Sequence, residues 1–130
     1  MIALLKERQI VVDPTDSWGV MASHPRGVSA ASFEPGIAAA PFTLRFKYES
    51  LGTQAEELAW RKRMAVNERV IGALYRAGVS IVAGSDTGRV GYGLDRELEL
   101  YVAAGMTPIA AIQTATLERF SITLHHIRRL

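Results

Sequence analysis

Two short runs of branched apolar residues constrain this chain most. Gln9-Ile10-Val11-Val12 and Val79-Ser80-Ile81-Val82-Ala83 have the composition of buried strands, and each stops at a polar turn, Asp13-Pro14 in one case and Gly84-Ser85-Asp86-Thr87-Gly88 in the other. Helical patterns surround both runs. Ile2 to Arg8 predicts the last two turns of a helix. Thr53-Gln54-Ala55-Glu56 has capping-box spacing and predicts a long helix that carries Trp60, Met64, Ile71, Leu74 and Tyr75 on one side. That helix ends near Ala77, where Gly78 supplies a left-handed stop. Leu94, Leu98, Tyr101 and Val102 predict another amphipathic helix, closed by Gly105, and Thr107-Pro108 opens a further one with a capping threonine and a proline at the first helical position.

Short strands alternating with helices imply crossover connections, hence an α/β fold with a parallel sheet. Two parallel strands leave both edges open, so the expectation is a section of something larger or a protomer that completes its sheet with other copies. The chain has 130 residues, far short of the roughly 250 of a closed (β/α)₈ barrel. Between the first strand and the long helix, residues 15–52 lose all periodicity around Pro25, Pro35 and Pro41 and predict a long loop containing at most a short helical piece.

Charge excludes one class of partner. Residues 1–117 carry twelve basic and twelve acidic side chains, and the formal net charge of +2 comes from Arg119, Arg128 and Arg129 against Glu118 in the tail. A nucleic-acid-binding face is not expected. No apolar run approaches the roughly 20 residues of a membrane span, and Lys6, Glu7 and Arg8 interrupt any secretory pattern, so the expected location is cytoplasmic, without a membrane partner. The lack of cysteine rules out a disulfide framework.

Asp86 is the residue with chemical potential. Reactive groups of α/β folds sit just beyond the carboxyl ends of strands, where Asp86 follows Val79–Ala83. A carboxylate in a Gly/Ser/Thr turn also commonly bonds its own backbone. The loop does not have P-loop form, because it holds no lysine. The segments Ala77–Gly88, Gly93–Leu100, Ala104–Ile109 and Ala115-Thr116-Leu117 together resemble the carboxyl-terminal end of the metal-dependent amidohydrolase superfamily. They are most similar to its imidazolonepropionase-like and prolidase-like branches. The likeness extends more weakly upstream to Met1.

The resemblance implies that the chain is the last two β/α units, with extra helices, of a (β/α)₈ barrel. In this reading residues 1–117 belong to that domain and residues 118–130 form a divergent basic tail. The resemblance further implies that Asp86 is both a metal ligand and the general acid/base acting on a metal-bound water, with zinc or another divalent metal as cofactor and a small amide-type molecule as substrate. Ser85 and Thr87 flank it. The family's His-x-His pair and its other histidine ligands have no counterpart, since His24, His125 and His126 lack ligand spacing relative to Asp86. The chain alone is therefore expected to bind no metal and to be inactive. Its missing strands would come from an amino-terminal part of the barrel or from other copies. The likeness stops at Leu117, which suggests a frameshift or rearrangement. The alternative expectation is a non-catalytic α/β module that self-associates.

Overall fold

The computed structural model describes residues 1–24, 27–32, 35–43, 53–86 and 92–117. Helices dominate it: α1 (Ile2–Glu7), α2 (Ser17–Ala22), α3 (Gln54–Arg76), α4 (Tyr92–Ala103) and α5 (Pro108–Ala115), with single 3-10 turns at Ala30–Ser32 and Pro35–Ile37. No sheet forms among the described residues. The two apolar runs meet only in one isolated parallel bridge between Val12 and Ile81. The expected α/β class, and with it the partial (β/α)₈ barrel, is therefore corrected to a mostly helical fold.

The hydrogen bonds show why the ladder stops at one rung. Val12 donates to the Ser80 carbonyl (3.0 Å), and Val82 donates to the Val12 carbonyl (3.0 Å). The next donor along a parallel ladder would be residue 14, which is a proline and has no N–H. The Val82 carbonyl left open by Pro14 is taken by the Tyr101 hydroxyl (3.1 Å). The next N–H of the partner run, that of Gly84, turns to the Asp13 carboxylate (3.0 Å). In the other direction the Ile10 N–H closes α1 on the Leu5 carbonyl (2.9 Å). On the far side of the second run, Ala83 donates to the Thr114 carbonyl of α5 (3.1 Å). Helices, not further strands, satisfy that backbone.

Three helices end in one way. After α3, Gly78 donates to Tyr75 and Val79 to Leu74; after α4, Gly105 donates to Val102 and Met106 to Tyr101; after α1, Gln9 donates to Lys6 and Ile10 to Leu5. Each pair is a Schellman closure, and its left-handed residue is Gly78 (φ 71°), Gly105 (φ 105°) or Gln9 (φ 51°). At α3 and α4 the closure places an apolar residue, Val79 or Met106, against the helix it has just left, which starts the core.

The predicted caps form. The Thr53 hydroxyl accepts from the Glu56 N–H (3.3 Å) while the Glu56 carboxylate accepts from the Thr53 N–H (2.6 Å), and the Thr107 hydroxyl accepts from the Ala110 N–H (3.2 Å). Ile71 and Leu74 of α3, Tyr101 of α4 with Ala104 just past its end, and Ala111 of α5 close around Val79, Ile81 and Ala83. Gly72 permits the α3–α4 crossing, because a Cβ there would run into the Ala104 carbonyl oxygen. Within the stretch expected as loop, α2 packs on α3 and α4, and Ala30 and Ile37 are buried. No helix is long and apolar enough to cross a membrane among the described residues.

Candidate functional site

The parallel bridge brings the ends of both runs to one place. Asp13 follows the first run, and its carboxylate accepts from the Gly84 N–H that follows the second. A Cβ at Gly84 would strike the Asp13 carboxyl group as it stands, so any larger residue there would displace that carboxylate. Two residues on stands Asp86, exposed and held at φ 42°, a left-handed conformation that aspartate tolerates better than most residues. Ser85 beside it is half-buried, and Thr87 lies outside the described residues.

Next to this junction is a buried carboxylate that the sequence reading passed over. Glu97 of α4 is wholly buried, and its two oxygens accept separately from the Asp16 N–H (2.9 Å) and the Ser17 N–H (2.6 Å) at the start of α2. These amides have no partner within their own short helix, so Glu97 caps it from 80 residues along the chain. Asp16 is also buried, and its Oδ1 accepts from Asn67 Nδ2 of α3 (2.6 Å). Thr15, immediately before, is β-branched yet sits at φ 46°. The Ser17 hydroxyl is buried and has no hydrogen-bond partner among the described residues.

Burial pushes the Glu97 carboxyl group above the ordinary carboxylate range, against the pull of the Asp16 and Ser17 N–H groups, which favour its charged form. Burial likewise raises Asp16, opposed by the Asn67 hydrogen bond and then by the charge of Arg63. The Tyr101 hydroxyl is pushed up by burial and by the adjacent Glu97 charge, so it stays a neutral donor to Val82.

A signal for Glu97 was present in the sequence. Gly93, Glu97 and Tyr101 recur at helical spacing and form the buried stripe of α4, which Ala104 continues just past its end, whereas Leu94 and Val102, expected on the packed face, are exposed. An acid at a core position of such a stripe needs backbone donors, and α2 provides them.

The described residues do not fit the metal centre that the family resemblance implies. No group of three or more His, Cys, Asp or Glu side chains among them is placed to hold a metal ion. Zinc takes three or four protein ligands, and the Asp13 carboxylate is already engaged by Gly84. His24 is buried at the end of α2, while His125 and His126 lie outside the described residues, as does the whole 118–130 tail. No family model matches the chain, nor does any curated protein or any solved structure.

Proposed function

We propose that this chain is a portion of a metal-dependent hydrolase acting on carbon–nitrogen bonds of non-peptide or dipeptide amides, and that it does not turn over substrate by itself. The observation that carries the reading is Asp86. It lies in the segment of strongest amidohydrolase resemblance and stands exposed, in a left-handed conformation, just past the end of a buried extended run. In a complete enzyme holding such a metal, Asp86 would be a ligand and the acid/base group that the metal-bound water needs. The remaining ligands come from sequence that the described residues do not contain.

The purified chain, exposed to zinc and then dialysed, is expected to retain no stoichiometric metal and to hydrolyse no dipeptide, lactam or imidazolone above the background of Asp86→Ala. One tightly held ion per chain, or turnover lost in that variant, overturns the inactivity. The hydrolase assignment has a separate test in the coding DNA. A His-x-His codon pattern after an apolar run, in any frame upstream, supports it, and its absence from every frame overturns it.

A second reading, a non-catalytic module that self-associates, is favoured by the exposed Ile109 and Ile112 on α5 and by Leu58, Val66 and Val70 on α3. Sedimentation equilibrium tests this second reading, since self-association requires a dimer or larger species at micromolar concentration and a monomer overturns it.

A further inference from the structure

The two extended runs, paired at one bridge, have two outer edges, and only one of these is closed. On the outer side of the second run the Ala83 N–H is taken by the Thr114 carbonyl of α5 (3.1 Å), so a helix end blocks that edge. The outer side of the first run has no such cover. Because Val12 turns its N–H and C=O inward to Ser80 and Val82, alternation along an extended backbone turns those of Val11 and Asp13 outward. Neither Val11 nor Asp13 has a backbone hydrogen bond among the described residues. Gln9, Ile10 and Asp13 are exposed, and Val11 and Val12 are half-buried. An open edge of this kind is a template for another strand.

The order of residues along the edge says which strand fits. Arg8 stands at one end and Asp13 at the other, with Ile10, Val11 and Val12 between them. Against a second copy running antiparallel, with Val11 opposite its own counterpart, the two Val11 residues exchange both N–H···O bonds. Ile10 of each copy then falls opposite Val12 of the other, so an exposed branched side chain gains a branched neighbour on the same face. Arg8 of each copy comes beside Asp13 of the other, whose carboxylate keeps its bond to Gly84 and has accepting capacity left. A parallel copy in register would set Arg8 against Arg8 and Asp13 against Asp13. Since α5 blocks the other edge, the pairing closes at two copies.

We propose, resting on the self-association reading, that the first extended run is an isologous interface through which two copies of this chain join antiparallel about Val11. The two parallel bridges then become one sheet of four short runs.

The chain has no cysteine, so single cysteines report the register without interference. Residues opposite each other in a hydrogen-bonded antiparallel pair have Cα atoms about 5.5 Å apart, inside the roughly 4.4 to 6.8 Å that a disulfide spans. Ile10 faces Val12 and not itself, which puts the two Ile10 positions about 7 to 8 Å apart, beyond that reach. Under mild oxidation of the whole chain at micromolar concentration, Val11→Cys is expected to form a disulfide-linked dimer about ten-fold faster than Ile10→Cys or Ile109→Cys. In sedimentation equilibrium the wild type is expected to dimerise, and Arg8→Glu, which sets an acid beside Asp13 at both ends, to raise the dissociation constant about five-fold. A wild-type chain that stays monomeric overturns the self-association reading and this interface with it. A dimer in which Val11→Cys cross-links no faster than Ile109→Cys leaves that reading standing and overturns the edge. Equally fast cross-linking at positions 10 and 11, or an Arg8→Glu dimer as tight as the wild type, overturns the antiparallel pairing.

Discussion

Glu97 shows how much one side chain can decide in this protein. A carboxylate is the one side chain of its size that offers two acceptors to two adjacent N–H groups and donates nothing. Glu97→Ala leaves the Asp16 and Ser17 amides unpaired inside the protein and opens a void beside Tyr101. It is expected to cost about 2 to 4 kcal/mol. Glu97→Gln keeps one acceptor but turns an NH₂ group toward an N–H, so it should cost about 1 to 2 kcal/mol at neutral pH, partly offset by removal of a buried charge. Urea unfolding followed by far-UV circular dichroism checks both values. Equal costs for the two variants would show that volume, not acceptor chemistry, is what the site requires. Asp86 contrasts with Glu97, because it is exposed and the fold places no comparable demand on it.

Among the elements, α3 was the most legible. Its capping box, its buried Ile71 and Leu74, and its stop at Gly78 all lie where local pattern puts them, because capping and Schellman closure are decided within six residues. Thr53→Ala removes the hydroxyl that accepts from Glu56 and is expected to destabilise the chain by about 1 kcal/mol, read as a lower urea midpoint with an unchanged slope. A null effect would mean that the first turn of α3 frays in the native state. The first apolar run was legible in composition but not in pairing. Branched residues favour extended backbone at Ile10–Val12, yet the ladder needs an N–H at residue 14 and a free N–H at residue 10. Pro14 lacks the first, and the closure of α1 consumes the second. The same closure places Gln9 in a conformation for which glycine or asparagine would have been the recognisable signal.

At the scale of the whole molecule, pH should act through the two buried acids. Their folded pKa values lie above the ordinary carboxylate range, so the native state binds these protons more tightly than the unfolded chain. Their contribution to stability is full below the ordinary range and is lost as pH rises through the raised values. Glu56 shifts in the opposite direction, held low by Thr53, but it is fully exposed and screened by solvent. The midpoint of thermal unfolding is therefore expected to be higher near pH 5 than near pH 8, with the difference reduced in Glu97→Gln. A higher midpoint at the alkaline end would show that the carboxylates gain more from their N–H partners than they lose by burial.

What the sequence determined by itself is local: helix positions at α3, α4 and α5, the caps of α3 and α5, the stops of α3 and α4, and the approach of an extended run to Asp86, all governed by contacts a few residues apart. Only the tertiary structure decided what those runs pair with. It is there that the Val82 carbonyl goes to Tyr101, the Ala83 N–H to Thr114, the Gly84 N–H to Asp13, and the start of α2 to Glu97. Each of these bonds joins residues far apart in the chain. Each replaces the bond that a regular sheet or an isolated helix would have made. Backbone groups must find partners inside a protein, but local sequence does not say which, and that choice separates this helical fold from the barrel section its pattern suggested.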